Sequence, residues 1–304
     1  MSYSVEVIRG TTVYSLSDGN PFWAMTLTGL GLPPVRLIKE RSPQQDGSTV
    51  VGQVLDERLL NLVLLIDAPS EAVAAVYRRN LAHILKPIKD IPCTLRVTAN
   101  DGTIRQIDTN VVGAVDFPNT NQDRFAGKQN VVVQFEASDP IPYDPALQNV
   151  TFVVASGTGP PGGYQVPFHV PALYSGSSII DAVESLPYNG DWKTFPIMYL
   201  TGPMVGPVIT NVTTDKVLDF AGSSLAGGDI WTIDLRYGRK RVTDQNGVLQ
   251  NAALTDDSDL IDWSLVPDPE APGGINDIRV NVPSGATAAS RVRVEFYNKY
   301  PSLG

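Results

Sequence analysis

A proline-rich segment near the middle of the chain sets the tightest limit on its fold. Phe135–Pro145 carries Pro140, Pro142 and Pro145 close together. Each proline fixes φ and removes a backbone donor, so a helix or a central strand cannot run through the segment. The residues directly before it, Asn130–Phe135, form an apolar run typical of a strand. That strand must leave its sheet here, and we interpret the segment as a seam between two independently packed β-rich domains.

The length and composition of the chain agree with two domains. Its 304 residues exceed the usual size of one hydrophobic core. A cut after Pro145 gives domains 1–145 and 146–304, which are both of ordinary size. Hydrophobic residues make up 42% and charged residues 18% of the chain, which indicates a globular protein and excludes a disordered one.

The charge and cysteine content exclude several classes of function. The net charge is −9, whereas a protein that binds duplex DNA tightly normally presents a basic face, so we expect no specific nucleic-acid binding. Cys93 is the only cysteine, which excludes an intrachain disulfide, and its apolar surroundings predict a buried side chain. No apolar stretch reaches the roughly 18 residues that span a bilayer, so we expect no membrane insertion. The N-terminus lacks the features of a secretory signal, which predicts synthesis in a cytoplasm.

The first half of the chain predicts a β domain with one helix. Ser70 is a candidate N-cap, and the residue before Pro87 avoids α geometry, so the helix is expected to lie between them. Its apolar positions recur at helical spacing and predict one face packed on a sheet: Val73, Val76, Tyr77, Leu81, Ile84 and Leu85. The apolar run Arg58–Asp67 predicts a strand buried on both faces. Between two further strands, the polar segment Pro118–Lys128 either extends away from the barrel or is an ordinary solvated loop.

The second half predicts an antiparallel sandwich or jelly roll. Short apolar runs recur at regular spacing and are separated by turn residues such as Gln245–Gly247 and Pro272–Gly274. The predicted strands are Asn149–Ala155, Phe195–Leu200, Val208–Val212, Val217–Phe220, Ile230–Leu235, Arg241–Thr243, Ile275–Val282 and Val292–Tyr297.

Catalytic chemistry has little support in the sequence. A Ser-His-Asp site needs a histidine held by a carboxylate beside a nucleophile, and neither His83 nor His169 lies in such a pattern. The acidic segment Asp256–Asp259 lacks the glycine and distal glutamate of a calcium-binding loop, which favours a solvated turn. We therefore predict that the protein is not an enzyme and has no catalytic, cofactor-binding or metal-binding residues.

The aromatic residues of the second half leave two interpretations open. Trp192, Trp231 and Trp263 fit the core of a sandwich, but exposed and coplanar tryptophans would instead stack on sugar rings. The basic segment Tyr237–Arg241 lies between two predicted strands, which favours a charged hairpin tip over a nucleic-acid motif.

Taken in order along the chain, these segments resemble the distal tail protein (Dit) family of long-tailed siphophages. In the first half the resemblance rests on the segments Gly29–Arg36, Gln44–Gly47 and Phe135–Pro140. In the second half it rests on Asn189–Gly190, Phe195–Ile197, Gly202–Pro203, Pro207–Asn211, Gly228–Asp229, Gly247 and Gly274–Asn276.

The resemblance implies a mainly β fold, with a barrel-like N-terminal belt domain carrying one helix and a galectin-like C-terminal sandwich. It also implies a role in the virion, as a ring of usually six subunits at the distal end of the tail. The ring would join the tail tube protein to the tail-tip or tail-associated protein of the baseplate, and could meet a receptor-binding protein. Galectin-like describes the fold and not sugar binding.

Two functional hypotheses follow, and they differ in class. The first is a structural ring protein of a phage tail, made in the host cytoplasm and leaving a channel for DNA. The second is a carbohydrate-binding protein that docks a host glycan through the C-terminal sandwich. For the ring we expect the N-terminal domain to form the interface, because a head-to-tail ring needs two different patches on each subunit. The loops Pro118–Lys128 and Arg41–Ser48 are the candidates to reach a neighbouring sheet edge.

Overall fold

The computed structural model describes residues 3–19, 21–88, 91–118, 120, 124–125, 127–154 and 180–304. Its internal contacts form two compact units, Met1–Pro145 with Lys299–Gly304, and Ala146–Asn298. We call these the first and the second unit. The last six residues, which the sequence analysis placed in the second domain, therefore pack on the first unit.

The first unit is a β structure with one helix among its described residues. Its elements are β1 (Tyr3–Arg9), β2 (Thr12–Ser15), β3 (Phe22–Thr28), β4 (Val35–Glu40), β5 (Thr49–Leu55), β6 (Arg58–Asp67), α1 (Glu71–Leu85), β7 (Cys93–Ala99), β8 (Ile104–Asp116), β9 (Arg124–Phe125) and β10 (Lys128–Ala137).

One antiparallel sheet organises the first unit, in the order β2-β1-β7-β8-β10-β6-β3 with β9 on β10. The long strand β8 bends the sheet, because its first half pairs with β7 and its second half pairs with β10. A register shift lies in the second half, where Gly113 takes a positive φ of 68°. The resulting curl encloses a core with side chains from β1, β3, β6, β7 and β10. The sheet is barrel-like and open, with β2 and β3 at its edges.

The helix begins and ends where the sequence predicts. The Ser70 hydroxyl accepts a hydrogen bond from the Val73 amide at 3.4 Å, and Lys86 leaves helical geometry directly before Pro87. The buried face is narrower than the predicted stripe and consists of Ala74, Leu81, Ile84 and Leu85. Val76, which the spacing placed on that face, is exposed.

The second unit is a β-sandwich. Its elements are β11 (Gln148–Val153), β12 (Ile180–Pro187), β13 (Ile197–Thr201), β14 (Met204–Val205), β15 (Val208–Asn211), β16 (Lys216–Asp219), β17 (Ser224–Leu225), β18 (Ile230–Asp234), β19 (Arg241–Thr243), β20 (Ile275–Val282) and β21 (Arg291–Phe296), with short 3₁₀ turns at Asn251–Ala253 and Pro272–Gly274. The sheets run β11-β21-β13-β18-β19 and β12-β20-β15-β16, with β14 paired to β17. One core takes side chains from both larger sheets, including Met198 and Val294 from the first and Ile209 and Val280 from the second.

Two buried asparagines fix loops of the second unit to its core. The side chain of Asn276 donates to the Val266 carbonyl at 2.9 Å and accepts from the Val266 amide at 3.0 Å. Asn211 donates to the Ser264 carbonyl at 2.8 Å. Gly274 has a positive φ, and a Cβ there would lie 2.2 Å from the Tyr188 carbonyl oxygen. These positions belong to segments on which the family resemblance rests. Those segments therefore contain residues that the structure of the sandwich requires.

Candidate functional site

Of the two histidines considered for catalysis, the structure describes only His83. His83 lies exposed in the last turn of α1, where its Nε2 is 3.4 Å from Lys86 Nζ. His169 lies outside the described residues. Across the described ranges, no three His, Cys, Asp or Glu side chains come together in a way that could hold a metal ion.

The acidic segment Asp256–Asp259 is a turn whose last carboxylate serves a structural purpose. Asp259 accepts hydrogen bonds from Lys216 Nζ and from the Val217 amide, both at 3.1 Å. The backbone hydrogen bond from Val217, with the added effect of Lys216, lowers the pKa of Asp259 below its usual value. The carboxylate thus ties the turn to β16.

The tryptophans of the second unit do not form a stacking platform. Trp263 is fully buried and Trp231 nearly so, and both belong to the sandwich core. Trp192 is half-buried. Burial of two of these side chains removes the feature that would have favoured the carbohydrate-binding hypothesis.

The described helix is too short and too polar to cross a bilayer. Burial raises the pKa of the Cys93 thiol, and its side chain belongs to the core of the first unit, as predicted.

An exposed β-hairpin is the feature of the first unit that most needs a partner. Strands β4 and β5 pair only with each other as a separate two-stranded sheet, and every residue of β4 is exposed. We call residues 35–55 the arm. Val35 pairs with Leu55 on one face, and Arg36 pairs with Val54 on the other. Because both faces carry apolar side chains and a two-stranded ribbon alone is marginal in water, the arm is a candidate docking element.

A second apolar surface lies on the side of the β3–β6–β10 sheet that faces away from the core. Trp23 is 48% exposed and stands opposite Leu65, while Val63 of β6 stands opposite Val132 of β10. Met25 occupies a bulge in β3 and is 51% exposed. We call these five side chains the outer face.

A buried arginine holds together three distant segments of the first unit. The Arg58 side chain is almost fully buried, and its guanidinium donates to four backbone carbonyls. The bonds run from Nε to Pro140 at 2.7 Å, from Nη1 to Gly29 at 2.9 Å and Gly31 at 2.5 Å, and from Nη2 to Pro301 at 2.8 Å. Burial lowers the pKa of Arg58 to about 10. This side chain fixes the base of the arm, the proline-rich segment and the C-terminal tail to one point.

A second arginine joins the proline-rich segment to the tail. The Arg105 guanidinium contacts the Asp144 carboxylate and lies 3.5 Å from the centre of the Tyr300 ring. Tyr300 donates from its hydroxyl to Asp144 at 3.0 Å, and Lys299 Nζ donates to Asp139 at 2.6 Å. The proline-rich segment, which the sequence predicted to separate two domains, therefore packs within the first unit.

The sequence alone indicated only part of the arm, and it did not indicate the outer face or the two arginine contacts. Arg41–Ser48 was predicted as a loop that could reach a neighbouring sheet edge, but β5 was not predicted, so the hairpin was not recognised. Trp23 was not considered, because β3 was not predicted. In the other candidate loop, Pro118–Lys128, residues 119, 121–123 and 126 lie outside the described residues, and β9 within the loop pairs with β10.

Comparison with solved structures identifies the fold. No family model and no curated protein matches the chain. Among solved structures, the chain is similar to the Dit protein (gp 19.1) of SPP1, described as a paradigm of the hub of the adsorption apparatus in phages that infect Gram-positive bacteria. The TM-score is 0.63 at 14% identity, covering 97% of this chain and 98% of the other. A chain of the phage P2 baseplate in its activated conformation matches with a TM-score of 0.47 at 10% identity, covering 97% and 98%. The likeness to the SPP1 protein shows that this chain has a Dit-like fold.

Proposed function

We propose that the protein is a structural component of a phage tail, located at its distal end, where copies of the chain form a ring that joins the tail tube to the baseplate or tail tip. The Dit-like fold over nearly the whole length of both chains supports this assignment. The observation that carries it is the exposed arm, since a hairpin with apolar side chains on both faces is suited to assembly.

The first unit has the surfaces that a ring needs. Head-to-tail association requires two different patches on each subunit, and closes into a ring when the rotation between neighbours allows it. The arm and the outer face are two such patches, and both belong to the first unit. The number of subunits, six, follows the family resemblance.

The charge of the chain suits passage of DNA through such a ring. With a net charge of −9, the protein does not favour tight contact with phosphates. A ring through which DNA passes must avoid such tight contact. A structural ring protein needs contact surfaces and does not need a catalytic site. The second unit, a sandwich over its described residues, is then available for the other proteins of the tail: the tube protein, a tail-tip protein and a receptor-binding protein.

The test replaces residues 36–54 of the arm by a short glycine-serine linker in the full-length protein. Light scattering should show a closed oligomer for the unchanged protein and monomers for the variant. Replacement of Asn119–Gly127 by a similar linker is the matched comparison, because it alters the other candidate loop. If the variant without the arm still forms the oligomer, the proposal that the ring assembles through the arm is contradicted.

A further inference from the structure

The outer face is apolar where a solvent-facing sheet should be polar. In β6 the core side takes Leu60, Leu62 and Leu64, while Val63 and Leu65 point to the other side. An antiparallel sheet with one solvated face normally alternates between apolar and polar residues. The sequence of β6 predicts burial on both faces, whereas a single copy buries one and leaves the other partly open. A second molecule on this face would complete the burial.

Trp23 is held in place on β3, at the edge of this surface. Gly19 adopts a positive φ of 83° in the preceding turn, and a Cβ at that position would lie 2.5 Å from the Trp23 ring. The indole therefore packs closely against the turn on one side and remains half-exposed on the other. A fixed and partly exposed tryptophan is the kind of residue that dominates binding energy in interfaces.

Charge distinguishes the arm from other possible occupants of this surface. Arg36 and Lys39 are exposed on β4. On the outer side of the sheet, Asp116 stands directly opposite Val132 and Glu136 directly opposite Leu59. Acidic side chains thus flank the apolar surface, and a basic residue nearby, Lys128, pairs with Asp67. The arm carries three basic residues, Arg36, Lys39 and Arg41, against two acidic ones, Glu40 and Asp46. Complementary charges around an apolar centre set the orientation of an interface.

We infer that the arm of one copy lies across the outer face of the next copy, with Trp23 as the anchor. This inference rests on the proposed ring and names the contact that closes it. Strands of the arm's length extend about 20 Å, comparable to the width of four paired strands at about 4.8 Å each. The arm can therefore cross from β3 to β8 and place its basic residues near Asp116 or Glu136.

Cysteine cross-linking tests the contact in the full-length protein. The buried thiol is first removed by Cys93→Ala, and Leu37→Cys in the arm is combined with Met25→Cys on the outer face. Mild oxidation should give a ladder of covalent dimers and higher oligomers on a non-reducing gel. The matched control combines Leu37→Cys with Val183→Cys, an exposed strand position of the second unit, and should give no ladder.

The results separate this inference from the proposed function. If rings form but oxidation gives no more cross-linked oligomer than the control, the arm lies elsewhere and the inference is overturned while the ring stands. If the unchanged protein is monomeric at all concentrations, the ring and the inference both fail.

A second variant reports on the anchor without any cysteine. Trp23→Ser should raise the concentration at which the ring dissociates by at least tenfold, while Val183→Ser should leave it unchanged. Circular dichroism confirms that each variant is folded. Equal dissociation of the two variants would contradict a role for Trp23.

Discussion

Arg58 donates a hydrogen bond from Nη2 to the carbonyl oxygen of Pro301 at 2.8 Å, across 243 positions of the sequence. The same guanidinium binds the proline-rich segment through Pro140. The segment through which the chain leaves the first unit and the segment through which it returns therefore both bind the buried Arg58. The surfaces proposed for assembly lie on a unit that includes the last six residues of the chain.

Leu303→Ala should destabilise the first unit, although the residue lies at the far end of the chain. Its side chain is fully buried in that core and its amide donates to the Leu30 carbonyl at 2.8 Å. Removing a buried leucine side chain costs about 2–5 kcal/mol. Hydrogen exchange read by mass spectrometry should locate the loss of protection in the first unit. The exposed Leu249→Ala serves as control, and a loss of protection confined to the second unit would refute the assignment of the tail.

Arg58→Met should also weaken the first unit, by about 2–6 kcal/mol in urea unfolding, because the carbonyls of Pro140 and Pro301 lose their donor and each costs about 1–3 kcal/mol. The carbonyls of the exposed Gly29 and Gly31 can bind water instead. Arg58→Lys should recover part of this loss, since one ammonium group cannot reach all four carbonyls. The comparison variant is Arg279→Met, whose exposed ion pair with Asp181 predicts a small effect. Equal stability of Arg58→Met and the unchanged protein would show that the buried cation contributes nothing.

Asn276→Ala should lower the stability of the second unit by about 2–6 kcal/mol, because it leaves the amide and the carbonyl of Val266 unpaired and each unpaired group costs about 1–3 kcal/mol. Thermal unfolding monitored by the three tryptophans of that unit and Trp23 would record the change. Asn149→Ala, at an exposed position of β11, should have little effect. Matching losses from both variants would remove the special role given to the buried amide.

The turn at Asp259 makes the second unit sensitive to acid. The pKa of Asp259 is lower in the folded protein than in the unfolded chain, so its contribution is fully present above about pH 4 and is lost as the pH falls through the folded value. Urea unfolding of the unchanged protein at pH 7 and pH 3 should show a larger difference than unfolding of Asp259→Asn. The same difference in both proteins would mean that Asp259 does not contribute to the acid sensitivity.

Local signals were sufficient for part of the fold. Ser70 and Pro87 set the ends of the helix, and alternating apolar residues indicated most strands of the sandwich. Pairings between distant segments were not accessible in this way. Nothing near Phe22–Thr28 indicates that it pairs with β6, and nothing near Pro301 indicates that Arg58 binds it. The exposure of Val35 and Leu37 could not be predicted either, because apolar residues in a strand predict burial until the surrounding sheet is known.

The central claim is that copies of this chain close into a ring, and negative-stain electron microscopy of the purified full-length protein tests it most directly. The account predicts closed particles with a central opening, about six subunits around it, and loss of these particles when residues 36–54 are replaced. A field of separate monomers at micromolar concentration, or open filaments in place of closed particles, would contradict it.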